Sequence, residues 1–242
     1  MRLDQQLAQT LGSRTRAADA IKQGRVSVNG KTITKPAFEI EETDTIDVAQ
    51  ADHDYVSRAG GKLLAAYDAF GIDTKGQTVL DIGASTGGFT QCALEHGAAK
   101  VYALDVGHLQ LAPALEADPR VVKMEGVNAK TISKDWFDPA VDFVCMDVSF
   151  ISALSILEPL FRQFVPKHMV ILVKPQFECG PKALNKKGVI RHPKYEKEAL
   201  DKVKAFLGQY YQKIQAIPSP VVGRKGNQEY VVYASKRRDC ID

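Results

Sequence analysis

A lysine follows directly on a strongly apolar stretch in the second half of the chain. Residues 170–173 read Val-Ile-Leu-Val, and Lys174 and Pro175 come next. Burying an ammonium group without a partner is unfavourable, so either the Lys174 side chain extends to solvent or the protein needs an amine at this position. Such an amine could act as a base if burial lowers its pKa, and as an ammonium it could stabilise negative charge developing on an oxygen.

Three further charged residues are predicted to lie near Lys174. Asp147 ends the apolar segment 141–146, Glu229 stands near the start of the last apolar segment, and Lys62 lies in a predicted helix before the first strand. Ligands of open α/β sheets bind beyond the carboxyl ends of the parallel strands, and Glu229 reaches that edge if its strand runs antiparallel. Taken singly, Lys62 also fits a solvated helix residue, Asp147 a turn former and Glu229 a surface ion pair. Four such residues at one edge favour a catalytic cleft.

The elements that must position these residues alternate between helix and strand from residue 56 onward. Seven segments have the composition of strands: QTVLDI, AKVYALD, RVVKME, VDFVCMD, HMVILVK, YQKIQAIPSP and GNQEYVVYASK. Helical segments such as GGKLLAAYDAF and SALSILEPLFRQF separate them. This alternation predicts an α/β domain with a mostly parallel sheet.

The first of these strands leads into a glycine-rich turn. Glycines let a ligand approach the backbone closely, although many nucleotide folds use such a turn and the signal alone is weak. Asp105 ends the next strand, 22 residues after Gly83, where dinucleotide folds place the acid that binds ribose hydroxyls. Asp81 precedes the turn and suits a cationic amino group better than a pyrophosphate. These two acids favour S-adenosylmethionine, with NAD as the alternative.

The N-terminal segment has a different pattern and a different charge. Residues 1–35 contain seven Lys or Arg and two Asp or Glu, whereas residues 36–50 contain five acids and no base. Leu3, Leu7 and Leu11, four residues apart, predict a first helix. Ser13 fits the N-cap of a second helix over 14–22, and Asn29-Gly30 predicts a hairpin turn. The segregated charge indicates a basic face, although an ordinary solvated surface explains a charge run of this size as well.

This N-terminal pattern resembles the S-four RNA-binding domain of a small-subunit ribosomal protein. The matching residues are Arg2-Leu3-Asp4, Ser13-Arg14, Ala17, Ile21, Gly24, Val26, Val28-Asn29-Gly30 and Pro36. The resemblance covers residues 1–48 and implies that basic side chains grip structured RNA through phosphates and shape. It implies RNA contacts by Arg2, Arg14, Arg16, Lys22 and Arg25.

The second region resembles the class I methyltransferases, and within them the FtsJ type that methylates ribose 2'-hydroxyls of RNA. The glycine-rich motif LDIGASTGGFT and the set Lys62, Asp147, Lys174 and Glu229 carry that resemblance. With the leading domain, the order SRAGGKL, DIGASTGGFT, DVSFIS, VKPQFE and GNQEY is similar to the TlyA family of ribosomal RNA ribose methyltransferases, also labelled hemolysins. The resemblance implies a class I fold with a seven-stranded sheet over 57–242, after a small α+β RNA-binding domain at 1–48 and a linker at 49–56.

The resemblance also implies the roles of the site residues. Lys174 becomes the central catalytic group, Asp147 and Glu229 position it, and Lys62 assists. The residues themselves leave open whether Lys174 acts as base or as electrostatic stabiliser. The implied cofactor is S-adenosylmethionine, and its contacts are Asp81, Gly83, Ala84, Ser85, Thr86, Gly87, Gly88, Phe89, Asp105, Val106, Gly107, Asn128 and Asp147. The implied partner is ribosomal RNA or a ribosomal subunit, with cytidine as the target, and no metal is expected.

Other chemistries and other classes of protein fit the sequence less well. Asp147-Val148-Ser149-Phe150 stands where amine methyltransferases carry an Asn/Asp-Pro-Pro-aromatic motif, and Cys145 is expected in the core rather than at the mouth as a nucleophile. The four cysteines form no CxxC pair, which argues against zinc and disulfides. The N-terminus lacks an apolar core of signal-peptide type, and no apolar run approaches the ~20 residues of a spanning helix.

We therefore expect a soluble, cytoplasmic enzyme without a membrane partner. A membrane-active hemolysin and an RNA-binding protein with an inactive methyltransferase fold are the alternatives. One segment stays open at this level. The lysine- and arginine-rich stretch 179–200 fits equally a loop that covers RNA and a solvated connection.

Overall fold

Two segments of the chain build separate hydrophobic cores in the computed structural model, Met1–Ser57 and Arg58–Asp242. The structure describes residues 1–22, 24–49, 55–223 and 225–239. Most of the predicted linker at 49–56 lies outside the described residues, which stop at 49 and resume at 55. Among the described residues no helix is both long and apolar enough to cross a membrane.

The first unit packs two helices on a small antiparallel sheet. Its elements are α1 (Leu3–Thr10), α2 (Arg14–Lys22), β1 (Val26–Val28), β2 (Lys31–Ile33) and β3 (Ile46–Val48), with strand order β2-β1-β3. Asn29 and Gly30 both have positive φ, 50° and 75°, as the predicted two-residue hairpin turn requires. The Ser13 hydroxyl accepts a bond of 3.2 Å from Arg16 N and caps α2 as expected.

The core of this unit joins one face of each helix to the sheet. Its buried residues are Leu3, Leu7, Ala17, Ala20, Ile21, Val26, Val28 and Ile40. The inward face of α2 runs through Ala17, Ala20 and Ile21, while Ala18 is only partly buried. Leucine spacing on α1 and alternation on β1 therefore determine which faces meet.

The second unit alternates strands with helices. Its helices are α3 (Ala59–Phe70), α4 (Gly88–Glu95), α5 (Pro113–Glu116), α6 (Leu154–Gln163), α7 (Pro175–Glu178) and α8 (Pro193–Leu207). Its strands are β4 (Thr78–Ile82), β5 (Lys100–Asp105), β6 (Val121–Glu125), β7 (Phe143–Met146), β8 (His168–Val173), β9 (Tyr211–Pro218) and β10 (Tyr230–Arg237). Short 3₁₀ turns occupy Ala129–Thr131, Lys134–Trp136 and Pro181–Ala183.

These strands form one seven-stranded sheet in the order β6-β5-β4-β7-β8-β10-β9. The five strands from β6 to β8 are parallel, and β10 runs antiparallel between β8 and β9. The first residue of β10, Tyr230, pairs with Val173 at the end of β8. The prediction of a class I α/β fold with a mostly parallel seven-stranded sheet is confirmed.

The central strands explain the apolar runs in the sequence. Every residue of β4, β7 and β8 is buried, because helices cover both faces of a parallel sheet. Cys145 lies on β7 with no exposed surface, as its place in an apolar strand predicted. The strand order reverses between β4 and β7, so their carboxyl ends open a crevice of the kind in which such sheets bind ligands.

Candidate active site

Lys174 does not extend to solvent. Only 7% of the residue is exposed, and its Nζ lies 2.6 Å from Asp147 Oδ1 and donates a bond of 2.7 Å to the hydroxyl of Ser149. The 2.6 Å approach is an ion pair without hydrogen-bond geometry, since Asp147 Oδ1 has no hydrogen-bond partner among the described residues. The lysine at the end of β8 therefore has the charged partner that its burial requires.

A second buried lysine completes the cluster. Lys62 Nζ on α3 donates a bond of 2.8 Å to Glu229 Oε2 and lies 3.5 Å from Asp147 Oδ2. Lys62 and Glu229 are only 9% and 4% exposed. The four residues thus form a chain of ion pairs, Glu229–Lys62–Asp147–Lys174, which we call the tetrad. Its two positive and two negative groups compensate one another in a place where a single charge would be strongly destabilising.

The order within the tetrad differs from the expected one. The sequence interpretation gave Glu229 the role of positioning Lys174, but the ion pair of Glu229 is with Lys62. Asp147 is the shared member, with one oxygen toward each lysine. Among the described residues, the ion pairs link Glu229 to Lys174 through Lys62 and Asp147.

The strand ends hold the two central residues in place. Asp147 N donates to Ile82 O at 3.1 Å, which extends the β4–β7 pairing by one residue beyond β7. Lys174 stands between β8 and α7, whose first residue is Pro175. Proline is pre-organised for the first helical position, so the chain turns away at the point where the lysine must face the crevice.

A contact not anticipated from the sequence joins the segments behind these two residues. Glu178 Oε2 accepts a bond of 2.5 Å from the Ser152 hydroxyl, and Oε1 accepts one of 2.6 Å from Ala153 N. Ala153 is the N-cap residue of α6 and has no side-chain cap of its own. Glu178 therefore caps α6 from another segment and ties the loop after β7 to α7.

The glycine-rich turn lies against the tetrad. Gly83 has φ +85°, and a Cβ at this position would lie 2.6 Å from the carbonyl oxygen of Asp147. Gly83 N and Ala84 N both donate to Leu104 O, at 2.8 and 3.1 Å. Backbone packing of this kind admits only glycine, so the turn and the end of β7 are in direct contact.

Asp105, the last residue of β5, binds both the glycine-rich turn and the segment that follows β5. Its Oδ2 accepts from Ser85 N at 2.8 Å and its Oδ1 from Gly107 N at 2.7 Å. The segment after β6 joins the same group, because Gly126 N donates to Gly107 O and Val127 N to Asp105 O. Five of the predicted cofactor residues thereby lie together at the carboxyl edge of the sheet: Gly83, Ala84, Ser85, Asp105 and Gly107.

The remaining predicted cofactor residues divide between surface and core. Val106 is 70% exposed, Asn128 is exposed and its side chain accepts from Lys130 N, and Thr86 is partly buried. Gly87 and Gly88 are buried where the turn enters α4, and a side chain on Gly87 would collide with Leu115. Phe89 is only 3% exposed and packs in the core, which does not fit the direct cofactor contact predicted for it.

Asp81 is also deeper than predicted. It has no exposed surface, and its Oδ2 accepts a bond of 2.7 Å from the Thr90 hydroxyl on α4. Burial raises the pKa of Asp81 to about 7, and the nearby carboxylate of Asp147 adds to the rise. The hydrogen bond from Thr90 acts in the other direction and lowers the pKa. Asp81 Oδ1 has no hydrogen-bond partner among the described residues. A direct contact to a cofactor amino group does not fit this burial.

These residues fit S-adenosylmethionine. The turn backbone is free of a side chain at Gly83, and the Asp105 carboxylate stands at the end of β5. A carboxylate in this place suits ribose hydroxyls.

The predicted RNA-binding residues of the first unit fall into two groups. Arg2 binds Asp4 through two bonds of 3.0 and 2.9 Å, and Arg14 donates to the same carboxylate at 3.0 Å. The hydrogen bonds from these arginines lower the pKa of Asp4 to about 2, and the bond from Arg2 has the larger effect. Lys22 is exposed, Arg16 is partly buried, and Arg25 donates to Ala49 O at 3.4 Å.

Comparison with known proteins identifies the family. Residues 55–236 match the model of the FtsJ-like methyltransferases, and residues 1–46 match that of the S4 domain. The chain belongs to the FtsJ-like methyltransferase family. Within this family, "Hemolysin A" of Brachyspira hyodysenteriae is 44% identical over 91% of the chain and 93% of the relative. The "16S/23S rRNA (cytidine-2'-O)-methyltransferase TlyA" of Mycobacterium tuberculosis is 38% identical over 94% of the chain and 86% of the relative.

A solved structure is similar over nearly the whole chain. The "putative hemolysin from Streptococcus thermophilus" superimposes with a TM-score of 0.75 at 33% identity, over 98% of this chain and 88% of that one. The comparisons therefore confirm the FtsJ-like family and the similarity to TlyA proteins that the sequence motifs indicated. They also confirm an S4 domain ahead of the methyltransferase domain.

Proposed function

We propose that this FtsJ-like protein transfers a methyl group from S-adenosylmethionine to a ribose 2'-hydroxyl of ribosomal RNA. The observation that carries the proposal is the buried tetrad at the carboxyl edge of the sheet, in contact with the glycine-rich turn through Gly83 and Asp147. The relatives named as rRNA cytidine-2'-O-methyltransferases support the substrate and favour cytidine.

Asp105 and the backbone of residues 83–87 hold the cofactor in this proposal, together with Val106, Gly107 and Asn128 at the outer rim. S-adenosylmethionine supplies an electrophilic methyl group on a sulfonium. The chain has to bring a hydroxyl oxygen into line with that methyl group, and accurate placement supplies much of the rate enhancement of such reactions.

Lys174 holds the attacking hydroxyl. As the ammonium partner of Asp147, it donates hydrogen bonds and stabilises the alkoxide charge that grows as the proton leaves. Asp147 fixes the direction of Lys174, because its Oδ1 lies 2.6 Å from Lys174 Nζ while its Oδ2 faces Lys62, and the hydroxyl proton leaves to water as the oxygen bonds to the methyl group. Lys62 and Glu229 hold Asp147 from its other side. Ser149 fixes the Lys174 ammonium through the bond at 2.7 Å.

The first unit, residues 1–48, binds the RNA, and residues 57–242 carry the reaction. Lys22, Arg16 and Arg25 contact phosphates, while Arg2 and Arg14 are held by Asp4 in a fixed orientation. Asp4 thus keeps two guanidinium groups together at a surface where RNA is expected. A ribosomal substrate makes the cytoplasm the expected place of action.

The experiment is methyl transfer from S-adenosylmethionine with a labelled methyl group to unmethylated 30S and 50S subunits. Nuclease digestion and mass spectrometry of the nucleosides then identify the product. We expect label in a 2'-O-methylnucleoside from at least one subunit. Label on a base contradicts the ribose target and favours a base methyltransferase. No transfer to either subunit contradicts the proposal and favours an RNA-binding protein with an inactive fold.

A further inference from the structure

A hydrogen-bonded turn follows α7 in the basic stretch after Lys174. The side chain of Asn185 accepts from Lys187 N at 2.9 Å and from Val189 N at 3.0 Å. Leu184 and Ile190 form an antiparallel bridge that closes the turn. The segment therefore has a defined shape.

The turn carries positive charge only. Residues 179–195 contain five Lys or Arg and no Asp or Glu. Lys186 and Lys187 are exposed, and so is Lys225, whose Nζ would lie 3.2 Å from a Cβ placed on Gly188. The salt bridges found among the described residues involve none of these three lysines. We call residues 185–188 together with Lys225 the basic turn.

A buried asparagine fixes the basic turn next to the tetrad. Asn227 is 3% exposed, and its side chain accepts from Ile190 N and donates to Gly188 O, both at 3.0 Å. The backbone carbonyl oxygen of Asn227 accepts a bond of 3.0 Å from Gly223 N. A Cβ placed on Gly223 would lie 2.9 Å from Glu229 Oε1. One short backbone segment thus holds both the basic turn and a tetrad carboxylate.

We infer that the basic turn binds backbone phosphates of the RNA that flank the target nucleotide. The inference rests on the proposed function and extends it to a second RNA contact, within the catalytic unit itself. Exposed lysines that have no acidic partner can replace the counterions of a phosphate backbone, and this term dominates the affinity for nucleic acids. Because Asn227 couples the turn to the segment of Glu229, RNA bound there is presented to the crevice at a fixed distance.

The test uses the full chain with Lys186→Ala, Lys187→Ala and Lys225→Ala combined. Its matched control is Lys75→Ala with Lys213→Ala, two exposed lysines at the opposite edge of the sheet. RNA affinity is measured by fluorescence anisotropy across a salt series, KM and kcat by methyl transfer, and cofactor affinity by calorimetry. We expect the triple variant to raise Kd and KM for RNA about tenfold and to lower the salt slope by about two to three, since each phosphate contact contributes roughly one. Cofactor affinity and the control variant should stay at wild-type values.

Unchanged RNA affinity and salt slope in the triple variant would overturn the inference. So would loss of binding to phosphatidylglycerol vesicles with RNA affinity retained, because the occupant would then be an anionic membrane surface. A wild-type protein that binds RNA but transfers no methyl group would refute the proposed function, and the anisotropy series would still decide the role of the basic turn.

Discussion

Glu229 Oε2 lies 2.8 Å from Lys62 Nζ, although 167 positions separate the two residues in the chain. The contact exists because β10 runs antiparallel beside β8 and starts at the edge where the parallel strands end. Lys62 then links this late strand to Asp147 and so to Lys174. Glu229, which directly precedes the last strand, and Lys62 on the first helix of this unit therefore both support the Asp147–Lys174 ion pair.

Replacing Glu229 by Gln should destabilise the protein by about 2–4 kcal/mol, because Lys62 would keep its charge in a buried place with only the more distant Asp147 as partner. The free energy of unfolding is measured by urea denaturation. The double variant Lys62→Met/Glu229→Gln removes the uncompensated charge and should recover most of the loss without recovering methyl transfer. Equal stability of wild type and Glu229→Gln would show that the pair is not electrostatically coupled.

Substitution of Gly83 by Ala should abolish cofactor binding and destabilise the fold by roughly 2–4 kcal/mol, since it combines a positive φ with a Cβ that would lie 2.6 Å from Asp147 O. Gly76→Ala is the matched control. Gly76 has φ +71° and no atom within 4 Å of the added Cβ, so it should lose only about 1 kcal/mol. Similar losses for both variants, with cofactor affinity retained in Gly83→Ala, would refute the close packing of turn and β7.

Asp81 should make stability depend on pH. Its folded-state pKa is about 7, above the ordinary 3.8, so the folded chain keeps a proton that the unfolded chain releases. Its contribution is fully present below about pH 4, falls as the pH rises toward 7, and stays lost above that. Asp81→Asn should therefore gain about 2–4 kcal/mol relative to wild type between pH 4 and pH 8.

Urea denaturation of both proteins across this pH range is the measurement for Asp81. Parallel stability curves for wild type and Asp81→Asn would contradict the raised pKa. Thr90→Val tests the opposing hydrogen bond. Since that bond favours the charged carboxylate, its removal should raise the folded-state pKa further and extend the fall in stability to higher pH.

Glu178→Ala should lower kcat about tenfold and leave cofactor affinity unchanged. Without the bonds to Ser152 and Ala153, the loop that follows Asp147 is no longer tied to α7, which follows Lys174, and the two residues are positioned less accurately. The helix α6 also loses its N-terminal cap, which costs about 1–2 kcal/mol of stability. Glu178→Gln keeps one carbonyl oxygen as acceptor and should retain most of kcat. A merely structural role predicts instead that activity follows the folded fraction in both variants.

The sequence predicted those features that depend on local pattern. Apolar segments bounded by glycine turns were sufficient to predict the strands of the second unit. The positions of the strand ends were sufficient to predict that Lys174, Asp147 and Glu229 lie at one edge of the sheet. The pattern did not reveal which side chains pair there, because three charged groups at neighbouring strand ends can pair in several ways. The partner of Glu229 depends on the position of α3, which no spacing encodes.

Side-chain direction explains the other differences. Asp81 stands one residue before the end of β4, and strand alternation directs it toward α4 and Thr90 instead of the crevice. Phe89 follows the glycines of the turn but lies on the buried face of α4. Glu178 and Asn227 contact segments far from them in sequence, and their residue types gave no signal of those contacts.

In the proposed reaction, the Lys174–Asp147 pair positions the attacking hydroxyl and stabilises its developing charge. The most direct test is single-turnover methyl transfer to ribosomal subunits by wild type and Lys174→Met, with cofactor and RNA binding measured on the same preparations. We expect Lys174→Met to bind both ligands and to transfer the methyl group at least a hundredfold more slowly, as losses of a positioned charge at a reacting oxygen usually do, at about 10²–10³. A rate within a fewfold of wild type, with both ligands bound, would contradict the account and remove Lys174 from the reaction.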